Sequence, residues 1–109
     1  MHLEDLGDVI ATRILLIDDV TGSERTVTVR IGRPQMFSEP PDDYFVPYQI
    51  AGAGSEKVRY GAGVDAVQAL QLVMKMIGAD LEALNREYAG AIRWESGQSQ
   101  GDFGFPRTS

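Results

Sequence analysis

A long stretch without proline constrains this chain more than any other feature of its sequence. No proline occurs between Asp65 and Pro106, and Gln68 follows Asp65 by three residues, as in the capping box that begins many helices. On a helical wheel Gln68, Gln71 and Lys75 form a narrow polar stripe, which Glu82 and Arg86 continue. The pattern predicts one long helix that begins near Asp65, is weakened or bent at Gly78, and ends near Glu87.

The apolar surface of this helix is wider than one sheet can cover. Every residue from Ala66 to Ile77 that lies outside the polar stripe is apolar. The apolar arc spans roughly 220°, whereas a helix that lies on one sheet needs about 100° or somewhat more. We therefore expect a second cover for the helix, and the C-terminal tail offers Phe103, Phe105 and Pro106 for this role.

The segments before the helix alternate between strand-forming residues and turns. Four strands are predicted, at 11–19, 25–31, 44–50 and 57–60. A fifth short strand is predicted at 91–95. Segment 33–43 is predicted to be a loop, because proline cannot donate to a central ladder, and Pro47 indicates an edge position or a bulge. The short connections favour an α+β fold, in which an antiparallel meander of four or five strands packs against one long helix in the order β-β-β-β-α-(β).

Length and composition narrow the class of protein. The 109 residues contain no repeat and no linker, which predicts a single domain over residues 1–109 with a flexible N-terminus at 1–8 and a tail at 97–109. The absence of cysteine excludes disulfides and thiolate chemistry. No apolar stretch is long enough to span a membrane, and residues 1–8 do not resemble a secretion signal, so we expect a cytoplasmic protein without a membrane partner.

The negative net charge of the chain indicates which classes of partner it favours. The net charge is −6, from 16 acidic and 10 basic residues. Nucleic acid is therefore disfavoured as a partner, because its binding depends on Lys and Arg that neutralise phosphates. A basic protein is the favoured type of charged partner.

One segment matches the dinucleotide fingerprint. Gly61-Ala62-Gly63-Val64-Asp65-Ala66 fits G-x-G-x-x-A, placed between a predicted strand and the helix. However, the connections before it are predicted to be antiparallel, and Asp65 places a carboxylate where a pyrophosphate would bind. We therefore favour two glycines in a tight turn and an Asp N-cap, and we assign no cofactor.

Residues that could perform catalysis are scarce. The only histidine, His2, lies beside the N-terminus, which disfavours mechanisms based on imidazole. The acid pairs Asp18-Asp19 and Asp42-Asp43 carry the oxygen ligands of hard cations, but both lie in predicted loops without EF-hand spacing. Solvated turns are the favoured interpretation, so we assign no catalytic residue and no metal ligand.

Two groups of residues are candidates for binding a ligand. The aromatic residues Tyr44, Tyr48, Tyr60 and Trp94 fit a ligand pocket, although packing in the core is the favoured interpretation. Gln68 and Gln71 lie on the polar stripe, and they become candidates for a polar site only if they are buried, because buried amides need partners.

Several segments together resemble a known protein family. They are Pro47-Tyr48-x-Ile50-x-Gly52, the helix start Gly63-Val64-Asp65-Ala66-Val67-Gln68-Ala69-Leu70, Ile77-Gly78, Trp94, and Gly101-Asp102-x-Gly104-Phe105-Pro106. The chain resembles, from residue 11 to residue 106, a family of small uncharacterised bacterial proteins grouped as a domain of unknown function. The resemblance implies the same fold and a bacterial origin, and it implies no activity.

The sequence leaves two functions open. The first is a noncatalytic protein–protein interaction module, similar to an immunity protein or antitoxin, that pairs with a second copy as a homodimer or with a basic protein. Leu72 and Met76 flank the polar stripe, so we expect them to contact a second subunit or the tail. The alternative is a small-molecule-binding domain or minor enzyme, with a site between the Pro-rich loop, Asp42, Asp43 and the aromatic sheet face. A pocket with convergent polar groups would favour this alternative.

Overall fold

A computed structural model describes residues 5–18, 21–38, 43–53, 56–94 and 105–106. Within these ranges the chain forms six strands and one helix: β1 Val9–Asp18, β2 Glu24–Gly32, β3 Gln35–Met36, β4 Tyr44–Ala51, β5 Arg59–Gly63, α1 Ala66–Glu87 and β6 Ile92–Trp94. Each pair of neighbouring strands is antiparallel. The α+β arrangement of an antiparallel sheet with one long helix is confirmed.

β4 occupies an inner position in the sheet and is paired on both sides. Tyr48 pairs with Ile31 of β2 on one side and with Arg59 of β5 on the other. β3 continues along the same side of β4 as β2, because β5 occupies the opposite side. The strands therefore follow each other across the sheet in the order β6, β1, β2 with β3, β4 and β5.

A bulge separates β2 from β3 and explains the proline in β4. Ile31 and Gln35 are four residues apart, whereas their partners Tyr48 and Phe45 are only three apart. Pro47 lies within this irregular stretch of β4, where a ladder is already interrupted. An edge position for Pro47 is wrong, because β4 is paired on both sides, and the irregular stretch agrees with a bulge. The prediction of a loop over the whole of segment 33–43 is wrong, because β3 lies inside it.

Side-chain hydrogen bonds to the backbone determine where α1 begins. The Asp65 carboxylate accepts a hydrogen bond from the Gln68 N–H in the first turn (2.8 Å), and Gln68 Oε1 accepts from the N–H of Val64, the residue before the N-cap (2.7 Å). The helix ends at Glu87, as predicted. It continues without a break through Gly78, so this glycine does not interrupt it.

The core lies between α1 and one face of the sheet. The helix contributes Ala69, Val73, Ile77 and Leu81, which are fully buried. Alternation along the strands places the buried sheet residues on the same face, with Leu15 directly opposite Val27. The other buried members of this face are Ile17, Val29, Ile31, Val46, Tyr48 and Ile92.

The tail supplies the second cover that the width of the apolar arc predicted. Phe105 is buried and belongs to the core cluster. It approaches α1 at Gly78, where a Cβ atom would lie 2.9 Å from the Pro106 carbonyl oxygen and 3.2 Å from Phe105 Cβ. The absent side chain of Gly78 therefore lets the tail pack on the helix. The Pro106 side chain is exposed, and Phe103 lies outside the described residues.

The opposite face of the sheet carries a separate aromatic cluster. The ring centroid of Phe45 lies 4.9 Å from that of Phe37 and 6.0 Å from that of Tyr60.

Leu6, from the N-terminal segment, is also buried. Its carbonyl oxygen would lie 2.4 Å from a Cβ atom at Gly32, so this glycine lets the N-terminal segment approach β2. Within the described part of the chain, no helix has the length and apolarity needed to cross a membrane.

Candidate functional site

A trough opens between the C-terminal half of α1 and the helix-facing side of β4 and β5. Its volume is about 410 Å³, which lies in the size range of small-molecule sites. We call it the Asp80 trough. Its walls are formed by Tyr48, Ile50, Ala53, Lys57, Arg59, Asp80, Leu84 and Glu87.

The periodicity of the surrounding elements places these side chains together. Asp80, Leu84 and Glu87 are spaced four and three residues apart on α1, so they share one face of the helix. Tyr48 and Ile50 alternate on the helix-facing side of β4, and Arg59 pairs directly with Tyr48.

The glycines of β5 explain why the trough opens where it does. A Cβ atom at Gly63 would lie 2.6 Å from the Ala69 backbone nitrogen, and one at Gly61 would lie 2.8 Å from Val73 Cγ2. The helix therefore touches the strand backbone at these two positions. At Arg59, two residues before Gly61, the same face of β5 carries a long side chain. The helix and the β4–β5 hairpin are therefore not in direct contact there.

This packing corrects the interpretation of Gly61 and Gly63 as parts of a tight turn. Both residues lie inside β5, and neither has a positive φ angle. Glycine is needed at both positions because α1 leaves no room for a side chain, and not because the backbone adopts a positive φ angle. The Asp65 N-cap that was predicted beside them is confirmed.

Three polar side chains meet at one end of the trough. The Tyr48 hydroxyl donates a hydrogen bond to Asp80 Oδ2 (2.6 Å), and Arg59 Nη1 donates to the same oxygen (2.7 Å). The guanidinium carbon of Arg59 also lies 5.7 Å from the centroid of the Tyr48 ring. Residues from β4, β5 and α1 thus form one hydrogen-bonded group.

The electrostatics of this group keep the phenol protonated. Burial, followed by the hydrogen bond to Asp80 and the charge of Asp80, raises the pKa of Tyr48 above its ordinary value, and the charge of Arg59 opposes this shift. The Tyr48 side chain, at 1% exposure, is held as a hydrogen-bond donor at neutral pH. A phenol in this state is unsuited to act as a general base.

The Asp80 carboxylate retains one acceptor that the described residues leave unused. Both hydrogen bonds from Tyr48 and Arg59 end on Oδ2, and within the described ranges none reaches Oδ1. The Asp80 side chain is 30% exposed and lines the trough. Arg59 uses only one of its five N–H donors on a partner from the described residues. Both side chains can therefore still bind another group.

The remainder of the trough combines an apolar surface with charges of both signs. Ile50, Ala53 and Leu84 form its apolar lining, and each of them packs partly against the core. Lys57 lies two residues before Arg59 on the hairpin, and Glu87 lies two helical turns after Asp80. Each wall of the trough thus contributes two charges, positive from the hairpin and negative from the helix.

Of the candidate site residues that the structure describes, Tyr48 is the one that lines this trough. Tyr60 lies on the opposite face, in the aromatic cluster with Phe37 and Phe45. Asp43 precedes β4, and its carbonyl oxygen accepts a hydrogen bond from the Phe37 N–H (2.8 Å). Asp42 and the side chain of Trp94 lie outside the described residues.

The candidates on the helix lie at its N-terminal half, away from the trough. Gln68 is exposed and takes part in the cap, and Gln71 is exposed as well. Leu72 is 41% exposed, while Met76 is partly buried and lies near Gly61. Neither glutamine is buried, which was the condition for a polar site around them.

Each of the two acid pairs has one member, Asp19 or Asp42, outside the described residues. Asp18 accepts hydrogen bonds from Arg93 (2.8 and 3.1 Å), which also pairs with Glu24, so these charges join β6 to the β1–β2 hairpin. The residues in the described ranges contain no group of three His, Asp or Glu side chains that could hold a metal ion.

Most of the trough residues were missed in the sequence, although one signal was present. At 100° per residue, Asp80 lies about 120° from Gln68 on the helical wheel, and Glu87 lies about 100° from it. Both acids therefore fall inside the apolar arc and outside the polar stripe. An acidic side chain on the buried side of a helix needs a partner, and Asp80 has two.

Comparison with known proteins agrees with the resemblance drawn from the motifs. Residues 11–107 match a family described as a domain of unknown function, DUF6968. The chain belongs to this family. The match to DUF6968 includes every described residue of the trough, and the description of the family states no activity. No curated protein and no solved structure matches the chain.

Proposed function

We propose that this DUF6968 domain binds a small organic molecule in the Asp80 trough. One observation carries the proposal: a buried phenol, a guanidinium and a carboxylate converge at one end of a cavity of about 410 Å³ that also has an apolar lining. An apolar cavity with a few convergent polar groups is typical of ligand sites. Of the two functions that the sequence left open, this geometry favours the small-molecule alternative.

The polar groups are held in place before any ligand arrives. The Tyr48 ring is buried in the core, and its hydroxyl fixes the carboxylate of Asp80, which in turn orients the guanidinium of Arg59. Preorganised groups lose little conformational entropy on binding, so even a small ligand can gain affinity from them. The raised pKa of Tyr48 favours a binding role over proton abstraction by this residue.

A fragment screen observed by amide NMR would test the proposal. The probes are fragment-sized organic compounds, both charged and neutral, added to the whole protein. We expect the amide shifts caused by the bound compounds to cluster at Tyr48, Arg59, Asp80 and Leu84. Shifts scattered over the surface, or no bound compound, would overturn the proposal.

A pair of tryptophan variants supplies the control for this screen. Leu84→Trp fills the trough, whereas Val67→Trp adds the same ring at a helix position that is 65% exposed and lies outside it. Binding should be lost in the first variant and retained in the second, with amide spectra confirming that both fold. Binding that persists in Leu84→Trp would contradict the trough as the site.

A second candidate function, a protein-interaction module, is favoured by exposed apolar side chains near the start of α1. Val64 and Val67 are 68% and 65% exposed, and Leu72 is 41% exposed. The described part of the tail contacts α1 at Gly78, and we propose a second subunit or another protein as the contact of Leu72. The net charge of −6 favours a basic protein over a second acidic copy.

Native mass spectrometry would test this second candidate. A homodimer that dissociates in Val67→Lys and persists in Thr28→Lys, a change on the other face of the sheet, would support self-association through α1. A basic protein retained from the native host and lost in Val67→Lys would support the charged partner. A monomer under both conditions would contradict the interaction module.

A further inference from the structure

We infer that the ligand of the Asp80 trough is a zwitterion of the α-amino-acid type with an apolar side chain. This inference rests on the proposed binding function and names the class of molecule that the trough recognises. Its basis is the pairing of Arg59 with Asp80 at the polar end, beside the apolar lining formed by Ile50, Ala53 and Leu84.

The hydrogen-bond acceptor and donors that remain unused at the polar end match the head group of an α-amino acid. Asp80 Oδ1 has no partner among the described residues and can accept from an ammonium group. The remaining N–H donors of Arg59 can hold a carboxylate. Because Arg59 and Asp80 are themselves in contact at 2.7 Å, the two positions are adjacent, as are the ammonium and carboxylate that an α-amino acid carries on one carbon.

Charge balance disfavours ligands that carry a single charge. The trough contains two basic side chains, Lys57 and Arg59, and two acidic ones, Asp80 and Glu87. An anion is attracted by the basic side chains of the β4–β5 hairpin but is repelled by the carboxylates of the helix. A cation is attracted by these carboxylates but is repelled by the basic side chains. A molecule with both charges interacts favourably with both walls.

The apolar lining sets the type of side chain. Ile50, Ala53 and Leu84 are partly buried and adjoin the polar end, so an aliphatic group attached to the head can lie on them. The hydrophobic gain from such a group is proportional to the apolar area that it removes from water. Leucine is therefore a suitable probe.

Titration with leucine and two matched analogues tests the inference. 3-Methylbutylamine lacks the carboxylate of leucine, and 4-methylpentanoate lacks its ammonium group. By amide NMR we expect leucine to shift Arg59, Asp80 and Leu84, and to bind about tenfold more tightly than either analogue. If the amine or the acid binds as tightly as leucine, the trough does not recognise a zwitterion.

The variant Asp80→Asn separates the role of the carboxylate from that of the cavity. It removes one charge at nearly constant volume, so the affinities for leucine and for the amine should fall about tenfold, while the affinity for 4-methylpentanoate should not fall. Asp8→Asn, at an exposed ion pair with Arg33, is the control and should bind like the original protein. Equal losses for all three probes would overturn the inference.

The results also distinguish this inference from the proposed function. If leucine causes no shift while other fragments bind in the trough, the inference of a zwitterionic ligand is wrong and the proposed binding function remains. If neither leucine nor any fragment binds, both proposals are wrong. Amide spectra of Asp80→Asn establish that the variant is folded before its affinities are compared.

Discussion

The hydroxyl of Tyr48 lies 2.6 Å from Asp80 Oδ2, although the two residues are 32 positions apart in the chain. This hydrogen bond connects an inner strand of the sheet with the second half of α1. It lies beyond the two glycines of β5, where helix and strand are no longer in direct contact. The bond therefore joins the two walls of the trough in a region where backbone packing does not.

Removal of the Tyr48 hydroxyl should lower stability more than the same change elsewhere. Tyr48→Phe breaks a hydrogen bond to a charged group, so we expect a loss of about 1–2 kcal/mol in the free energy of unfolding, measured with urea. Tyr60→Phe is the matched control, because its hydroxyl has no partner within the described residues, and its loss should stay below about 0.5 kcal/mol. Equal losses would contradict a structural role for the Tyr48 bond.

The raised pKa of Tyr48 predicts a loss of stability in alkali. The unfolded phenol ionises near its ordinary pKa of 10.0, while the folded phenol ionises only at higher pH. The contribution of Tyr48 is therefore complete below about pH 10 and falls as the pH rises further, because only the unfolded state then loses the proton. Above that pH the unfolding free energy should decrease more steeply for the original protein than for Tyr48→Phe. Parallel pH profiles would show that the phenol is not shifted.

The two glycines of β5 should differ in their tolerance of a methyl group. A Cβ atom at Gly63 meets the backbone of Ala69 and Gln68, which can shift only with the whole helix, whereas one at Gly61 first meets the Val73 side chain. We expect Gly63→Ala to cost about 3 kcal/mol and Gly61→Ala about 1–2 kcal/mol in urea unfolding. The reverse order would contradict the packing of α1 on β5.

Gly78→Ala should be destabilising, in contrast to the usual effect of this change inside a helix. Helix propensity alone favours alanine by about 1 kcal/mol. At Gly78, however, the new methyl carbon would lie 2.9 Å from the Pro106 carbonyl oxygen, so the tail must move away. We expect a net loss of about 1 kcal/mol in thermal or urea unfolding and a shift of the Phe105 amide signal. A gain in stability would show that the tail does not pack on Gly78.

The parts of the fold that sequence could predict depend on interactions between near neighbours. The cap formed by Asp65 and Gln68 involves residues three positions apart, and the strand alternation at Val27 and Val29 has a period of two. The surplus apolar arc also predicted a second cover for α1. Phe105 provides it, because the need to bury an excess of apolar surface is visible without knowing the fold.

The trough was not predictable because it depends on pairings between distant segments. Only the register of β4 against β5 places Arg59 opposite Tyr48 and moves Tyr60 to the other face. The role of Gly61 likewise depends on which turn of α1 lies above it. Asp80 offered a local signal, an acid within an apolar arc, but its partners come from two strands that sequence alone does not align.

The end of α1 provides a last test, because it places a side chain in a backbone conformation that favours glycine. The N–H of Gly90 donates to the Asn85 carbonyl (2.8 Å) and that of Ala89 to the Arg86 carbonyl (3.1 Å), as in a Schellman motif, with Ala89 at a φ angle of 56°. Ala89→Gly should raise the unfolding free energy by about 0.5–1 kcal/mol, because glycine adopts this conformation without steric cost. Ala83→Gly, the same change in the helix interior, should lower it by about 1 kcal/mol. If both variants lose stability, the strain at Ala89 is too small to affect the folding equilibrium.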